Sequence, residues 1–225
     1  MRSLHTEFPQ LTYDVTIKIE HLLRHAEHLP TLRDTGCLFV TSALESINER
    51  VLSRLDKGHT QEDIIQVVDR FQEVGLTLNP TLVSFTPWTT LDGYRQLLTF
   101  LDQYDLVENM ASIHLAIRLL IPAGSKLLEL TEVQALVGPF DEQLLIYPWQ
   151  NSEPSVDHLH QDVLALVETG VARGEERREI FAQVAALVGL PVREANGRQP
   201  RAPIPYLTEP WYCCAEPTDE QFAPL

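Results

Sequence analysis

The residues best suited to chemistry lie on the polar faces of predicted β-strands. Thr12–Glu20 alternates between apolar and polar side chains, and so do Leu76–Val83 and Ser112–Ile121. A parallel strand covered on both faces is apolar throughout, and unpaired charges destabilise a packed core. The polar faces therefore predict a hydrated interior that contacts a ligand. The candidate residues are Lys18, Glu20, Asn79, His114 and Arg118.

Two other interpretations of these polar faces stay open. The sheet can be open, with one face in solvent. Alternatively, Lys18, Glu20 and Arg118 can form a structural ion-pair network, which would satisfy the charges without a ligand. The polar residues come from separate strands that converge in one sheet, and this favours the ligand-lined interior.

A single carboxylate, Glu45, follows the apolar segment Cys37–Thr41, which has the composition of a buried parallel strand. The turn Ser42–Ser46 leads into an amphipathic helix that is stopped by Lys57 and Gly58. Ligands of α/β proteins bind just beyond the carboxyl ends of the strands, so Glu45 is a candidate binding residue. The alternative is a structural role, in which its carboxylate stabilises the positive end of the helix dipole.

Predicted strands alternate with helices along most of the chain. A second helix after Cys37–Thr41 has Thr60 as its N-cap and ends at Gly75, and further strands and helices follow in turn. This alternation predicts an α/β fold with a parallel sheet built by right-handed crossovers. A helical hairpin is predicted from Ser155, so the expected segments are residues 1–147, a helical appendage at 148–192 and an extended tail at 193–225.

Composition excludes several classes of protein. The 225 residues carry a net charge of −15, which argues against nucleic acid or an anionic membrane as the partner. No run of eighteen apolar residues and no signal peptide is present, which predicts a soluble, cytoplasmic protein. The three cysteines, Cys37, Cys213 and Cys214, do not form a disulfide framework.

Three histidines have a spacing that could bind a metal ion. His21, His25 and His28 lie on one predicted helical face beside Glu27, and imidazole is a common metal ligand. Surface histidines on amphipathic helices are commoner than metal ligands. We therefore predict no metal site in this chain.

The segment from Thr12 to Leu128 resembles the second half of a radical S-adenosylmethionine (radical SAM) domain, a partial (β/α)6 barrel. The matching sequences are TYDVTIKIEHLL for the third strand, TGCLFVTSALESINERVLSRLDKGHT for the fourth strand and its helix, TQEDIIQVVDRFQEVGLTLNPTLV for the next helix and fifth strand, and IHLAIRLLIPAGSKLL for the sixth. The ending WYCCAEP resembles the branch named for its CUAEP/CCAEP tail, in which the first tail cysteine can be selenocysteine.

This resemblance implies roles for particular residues. Glu45 matches the fourth-strand acidic residue that bonds the ribose hydroxyls of SAM in the family. Lys18, Glu20 and Arg118 lie on strands whose inner faces contact SAM or substrate, and we assign them to SAM binding. The same interior implies that Asn79 and His114 line the substrate site.

The tail cysteines are implied to take part in catalysis. Cys213 and Cys214 are adjacent, and a position that accepts selenocysteine in relatives is used as a nucleophile or a redox centre. Neighbouring carboxylates, such as Glu216, disfavour a spontaneously reactive thiolate. Binding of a thiophilic ligand and inert exposed thiols therefore stay open as alternatives.

One expected motif is absent. Radical SAM enzymes hold a [4Fe–4S] cluster with a Cys-x-x-x-Cys-x-x-Cys loop after the first strand, and this sequence has no such triplet. We therefore expect an amino-terminally truncated chain that is inactive alone. The cluster would come only from the missing half of the barrel, which would also be the partner unless the chain self-associates.

The expected function is SAM-dependent radical modification of an unidentified small-molecule or peptide substrate. Two alternatives remain. One is a non-catalytic split half or scaffold that binds a cluster-bearing partner chain. The other is a fragment of an ordinary (β/α) barrel enzyme without radical chemistry.

Overall fold

The fold is built around a parallel β-sheet, seen in a computed structural model that describes residues 1–193 and Ile204. Strands β1 (Tyr13–Thr16), β2 (Cys37–Glu45) and β3 (Leu78–Leu82) stand in the order β1-β2-β3, and both pairings are parallel. The predicted α/β class is confirmed. The α-helices of the described part are α1 (Arg2–Glu7), α2 (Ile19–Arg24), α3 (Leu29–Asp34), α4 (Glu49–Arg54), α5 (Gln61–Val74), α6 (Leu91–Gln103), α7 (Thr131–Gln134), α8 (Pro154–Arg173) and α9 (Arg177–Leu187).

The described residues form two compact units. Unit 1 contains the β-sheet and consists of Met1–Leu82, Thr99–Ala111 and the described residues of Val192–Pro205. Unit 2 consists of Val83–Leu98 and Ser112–Pro191. The segments predicted from the sequence, 1–147, 148–192 and 193–225, have boundaries that differ from those of the two units. These predicted boundaries stay a prediction.

One face of β2 supplies the core of unit 1. Val40, Ser42 and Leu44 alternate along the strand and are fully buried. The helices α2 and α3 each contact both β2 and α5, so these three helices cover the same face of the sheet. Covering one face with helices leaves the opposite face of the sheet available for polar residues.

The helix α5 forms as the sequence predicts. Thr60 and Asp63 make a reciprocal capping box, which satisfies amide groups that the first turn leaves without partners. Its buried stripe repeats every three or four residues, and Gly75 ends the helix in a left-handed conformation. The stripe consists of Ile64, Val67, Val68 and Phe71.

The first strand is shorter than its alternating pattern predicts. Ile17 still donates its amide to the carbonyl of Thr41, but α2 begins at Ile19. Ile19 is buried as a helical residue, so its apolar character is explained without a strand. The placement of Lys18 and Glu20 on a strand is therefore wrong, because Lys18 is the N-cap residue of α2 and Glu20 lies in its first turn.

The segments on either side of β2 are helical. Before β2 lie α2 and α3, and Pro30 lies in the first turn of α3, where no amide donor is needed. β2 continues to Glu45, so Leu44 belongs to the strand and not to the following helix. That helix, α4, begins after Asn48, whose side chain caps it.

The strand predicted at Ser112–Ile121 is largely wrong. Ser112–Leu115 is a 3-10 helix, and a parallel bridge joins Arg118 to Phe85 further along the segment. Ser84 donates its hydroxyl to the carbonyl of His114 at 2.6 Å, and Tyr94 donates to that of Leu115 at 2.9 Å. These side chains occupy carbonyls that a strand would use in its ladder.

A helical hairpin, predicted after Pro148, is present in unit 2 as α8 and α9. Gly174 ends α8 with a left-handed backbone, φ +72°. A Cβ on Gly170 would lie 2.7 Å from Cγ1 of Ile180, so the two helices touch where the glycine has no side chain. The predicted tail, apart from Arg193 and the buried Ile204, lies outside the described residues.

The turn before β2 generates a stability prediction. Gly36 has φ +96°, and a Cβ there would lie 2.5 Å from the backbone oxygen of Leu11. Gly75 also has a positive φ, +74°, but a Cβ there meets nothing within 4 Å. Alanine at position 36 would suffer both the strain of a positive φ and a clash with the backbone, whereas alanine at position 75 would suffer the strain alone. We therefore expect Gly36→Ala to lower the free energy of unfolding by about 3 kcal/mol and Gly75→Ala by about 1 kcal/mol.

Urea denaturation of both variants measures the difference. Equal losses in the two variants would contradict the close approach of Gly36 to Leu11.

Candidate functional site

The carboxyl edge of the sheet in unit 1 presents Glu45. It is the last residue of β2, and its backbone is left-handed with φ +62°, which is uncommon for a residue other than glycine. The register between β2 and β3 shifts between Ala43 and Glu45, so that Glu45 pairs with Leu82. Such irregularities redirect a side chain at the end of a strand. The predicted position of Glu45 at this edge is confirmed, and its role in binding stays a prediction.

An ion pair holds the Glu45 carboxylate. Nζ of Lys57 lies 2.6 Å from Oε1 of Glu45, and the two side chains are 27% and 13% exposed. Charged hydrogen bonds of this length are among the strong ones. Among the described residues, Oε2 of Glu45 has no hydrogen-bond partner. The carboxylate is therefore fixed through one oxygen, and the other can accept from a ligand.

A second carboxylate, that of Glu20, lies close to the turn that contains Lys57. Gly58 follows Lys57, and a Cβ on Gly58 would lie 3.5 Å from Oε2 of Glu20. Glu20 also lies 3.2 Å from Nε2 of His21. The structure thus brings Glu20 and Glu45 to the turn at Lys57 and Gly58, although Glu20 comes from a helix.

The open face of the sheet carries uncharged polar groups. Thr16 pairs with Thr41 in the register of β1 and β2, and Thr41 pairs with Asn79 in that of β2 and β3. Nδ2 of Asn79 donates to Oγ1 of Thr41 at 3.1 Å. None of the three side chains is fully buried. A row of polar residues thus crosses the three strands, and a substrate contact by Asn79 stays a prediction.

Arg118 lies in unit 2, and its guanidinium group is engaged within that unit. Nη1 donates to Oδ1 of Asp157 at 2.8 Å, and Nη2 donates to the carbonyl of Trp149 at 2.6 Å. Its Cζ also lies 3.6 Å from the centroid of the Trp149 ring, a cation–π contact. This geometry is that of a structural ion pair with Asp157. A contact between Arg118 and SAM stays a prediction.

Sequence reasoning missed the polar partners of Arg118. Asp157 also accepts the amide of Asn151 at 2.9 Å, and Asn151 donates to the carbonyl of Thr89 at 2.9 Å. The polar link before α8 contained the signal, because an asparagine and an aspartate near a helix start often bond the local backbone. These contacts fix α8 onto the loop that contains Thr89.

The histidines of unit 2 differ in their exposure. His114 is buried in a 3-10 helix. His158 is exposed, whereas His160 is only partly exposed. Its Nε2 lies 3.1 Å from the carbonyl of Ala116, and its ring lies edge-on to Phe85 with centroids 4.8 Å apart. The spacing of His160 from Val156 and Val163, four and three residues away, could have placed it on the buried stripe.

The histidines near α2 do not gather into a metal site. His25 and His28 are exposed and stack on each other with ring centroids 6.2 Å apart. Among residues 1–193 and Ile204, no group of three or more His, Cys, Asp or Glu residues is arranged to hold a metal ion. Cys37 is buried and donates to the carbonyl of Phe39. Cys213 and Cys214 lie outside the described residues.

The length and composition of the helices bear on whether any of them could cross a membrane. In the described part of the chain, no helix combines the length and the apolar character needed to span a bilayer.

Comparison with solved structures shows which known fold the chain resembles. A cobalamin-dependent S-adenosylmethionine radical enzyme, OxsB, solved with aqua-cobalamin bound, matches 72% of this chain with a TM-score of 0.59 and 14% sequence identity. The matched part of this chain shares the fold of the corresponding part of OxsB. The apo, selenomethionine-labelled form of OxsB matches 79% of this chain with a TM-score of 0.60. The chain spans only 29% and 35% of the two OxsB chains.

One further solved structure aligns only weakly, and two other comparisons found no match. An archaeal Elp3 from Methanocaldococcus infernus aligns with a TM-score of only 0.41, which is too low to support an argument. No protein-family model matches the chain, and no curated protein matches it. At 14% identity, the likeness to OxsB establishes the fold alone.

Burial of His160 generates a prediction about pH. Burial, and then the charge of Arg118, lower the pKa of His160 to about 4, below the usual histidine value. The folded chain therefore favours the neutral ring, so its contribution to stability is complete above about pH 6.5 and is lost as the pH falls toward 4. Near pH 5 we expect His160 alone to reduce the free energy of unfolding by about 1.4 kcal/mol per pH unit.

The variants His160→Gln and His158→Gln separate this effect from other titrations. Urea denaturation between pH 4.5 and 7 should show a flatter pH dependence for His160→Gln only. An unchanged slope in His160→Gln would contradict the assignment of a buried neutral ring.

Proposed function

We propose that this chain binds SAM at the carboxyl edge of its sheet and forms part of a radical SAM enzyme. The observation that carries the proposal is the Glu45 carboxylate, which ends β2 with Oε1 held by Lys57 and Oε2 available to accept. A carboxylate can accept hydrogen bonds from both hydroxyls of a ribose diol. The fold shared with part of OxsB, whose structure has also been solved with aqua-cobalamin and S-adenosylmethionine bound, supports this choice of ligand.

The sheet is the proposed second half of a radical SAM barrel. In a barrel, helices cover the outer face of the strands and ligands contact the inner face and the carboxyl ends. The arrangement in unit 1 supports this, because α2, α3 and α5 cover one face and the Thr16–Thr41–Asn79 row occupies the other. Asn79 would then contact substrate from the polar face, and Lys18 and Glu20 would contribute to the SAM site.

The residues of this chain do not fit a [4Fe–4S] cluster. Its three cysteines lack the Cys-x-x-x-Cys-x-x-Cys spacing, and Cys37 is buried in β2. We therefore derive no radical step from this chain. In the proposed enzyme, a cluster-bearing polypeptide supplies the thiolates, and the present chain supplies the SAM and substrate contacts.

An edge of the sheet suits such a partner. In the described part, β1 pairs only with β2, and no side chain of β1 is fully buried. An edge strand of this kind presents unpaired backbone groups that another strand can bond. The proposed occupant is a strand of the cluster-bearing polypeptide, and self-association is the competing outcome.

The finer assignment rests on the carboxyl-terminal sequence. The ending around Cys213 and Cys214 resembles the CUAEP/CCAEP-tail branch, which supports a role for this pair in the chemistry of the complete enzyme. The substrate is proposed to be a small molecule or a peptide, and the location to be the cytoplasm. If the chain proves not to bind SAM, the function as a non-catalytic half or scaffold takes precedence.

The SAM site generates a binding prediction. Glu45→Gln removes the charge but keeps the shape of the side chain, and it replaces one acceptor by a donor. Because the charged acceptor is lost, we expect the dissociation constant for SAM to rise by at least about tenfold, which corresponds to about 1.4 kcal/mol. Isothermal titration calorimetry with the full chain measures it.

Glu73→Gln is the matched control. Glu73 lies exposed on α5 in the same unit, and its ion pair with Arg70 is loose at 3.9 Å. This variant should bind SAM as the unmodified chain does. Equal SAM affinity in all three proteins would remove Glu45 from the site.

A separate prediction concerns the cluster. Because the cysteine spacing is unsuitable, anaerobic incubation of the chain with iron and sulfide should yield no stoichiometric [4Fe–4S] cluster. Visible absorption and iron analysis after gel filtration measure this. A chelator-resistant cluster on the purified chain would contradict the need for a cluster-bearing partner.

A further inference from the structure

Lys57 reaches Glu45 from an unusual turn. The chain leaves α4 through Asp56, which has a left-handed backbone with φ +50°, and Gly58 is also left-handed with φ +69°. Lys57 lies between them, and its amide donates to the carbonyl of Leu52 at 3.1 Å. This turn brings the ammonium group to 2.6 Å from Glu45 Oε1.

Both partners of this ion pair depend on strained backbone. Glu45 itself is left-handed, and so is Asp56, which directly precedes Lys57. Residues other than glycine adopt this conformation at an energetic disadvantage, and such residues cluster at binding sites. An exposed ion pair contributes little to stability, but the Glu45 and Lys57 side chains are only 13% and 27% exposed. The pair is thus held in place by the fold on both sides.

We infer that Lys57 is a positioning residue for Glu45. Its ammonium group fixes Oε1 and the rotamer of the carboxylate, so that Oε2 is presented to the ribose diol of SAM. This inference rests on the proposed function, because it assigns to Lys57 a role in the same site. Lys57 acts through Glu45 and need not touch SAM.

The hydrogen-bonding capacity of the groups is compatible with this role. A carboxylate has about four acceptor positions on its two oxygens, and among the described residues only the ammonium group of Lys57, at Oε1, occupies any of them. The ammonium group is also only a donor, so it does not compete with SAM hydroxyls as an acceptor. Loss of a group that orients a metal ligand typically weakens metal binding by about ten- to a hundredfold, and we take the lower end of that range for a group that orients a carboxylate.

Three lysine variants of the full chain test the inference. Lys57→Met keeps most of the side-chain length and removes the charge, and Lys57→Arg keeps the charge. Lys126→Met is the matched control, because Lys126 is exposed in unit 2. Calorimetric titration with SAM should show a dissociation constant raised about tenfold in Lys57→Met, a smaller increase in Lys57→Arg and no change in Lys126→Met.

A double-mutant cycle distinguishes positioning from an independent contact. If Lys57 acts through Glu45, then adding Lys57→Met to Glu45→Gln should weaken SAM binding no further. Melting temperatures of all variants should stay close to that of the unmodified chain. Additive losses of affinity, or a large fall in melting temperature for Lys57→Met alone, would overturn the positioning role in favour of a direct contact or a structural one.

A measurement without SAM tests the pair itself. Acetylation of Lys57 by acetic anhydride, quantified by mass spectrometry against Lys126, should be slow in the unmodified chain and several-fold faster in Glu45→Gln, because the hydrogen bond protects the ammonium group. Equal rates would overturn the inference. If the unmodified chain binds no SAM, the proposed function fails, whereas full SAM affinity in Lys57→Met refutes the role of Lys57 alone.

Discussion

The parallel pairing of β2 with β1 and β3 is the interaction on which the rest of the structure depends. It places the carboxyl ends of β1 and β2 at one edge, and this alone brings the start of α2 and the end of β2 into the same neighbourhood. Burial of Val40, Ser42 and Leu44 against helices fixes which face of β2 is covered. Because side chains alternate along a strand, the same constraint leaves Thr41 on the open face.

Within this frame, the candidate site combines regular and irregular backbone. The strands set the row of neutral polar groups, whereas the charged residues come from positions where regular structure ends. Glu45 lies at a register shift, and Lys57 lies in a turn between two left-handed residues. Strand geometry thus supplies a fixed surface, and the irregular turns supply the charged groups at its margin.

The sequence correctly predicts those elements in which the spacing of the apolar residues and the capping residues indicate the same helix. In α5, the capping box at Thr60, the apolar stripe and the final Gly75 all indicate the same helix, and each is observed. The position of Glu45 was predictable because a β-branched apolar run precedes it. The strand predicted at Ser112–Ile121 was wrong. Residues at both alternating positions of this segment are buried, so the alternation of apolar and polar types does not reflect one covered and one open strand face.

The candidate site was less predictable than the fold, because partners distant in sequence decide the role of a charged residue. Arg118 reads as one of several polar strand residues, but Asp157 and Trp149, far along the chain, engage its guanidinium group. The pair of Lys57 and Glu45 likewise depends on two left-handed residues that no periodicity reveals. The partly buried position of His160 also depends on Phe85 and Ala116, which are distant in sequence.

The all-parallel pairing also governs how the chain reaches its folded state. Tyr13 pairs with Cys37, and Val40 pairs with Leu78, so each of the three described strands pairs with a strand distant in sequence. Each pairing requires closure of a long loop before any ladder bond forms, and non-local contacts of this kind slow folding. The helices inside those loops are local structures that can form first and shorten the distance to be closed. The capped helix α5 lies inside the loop whose closure brings β2 to β3.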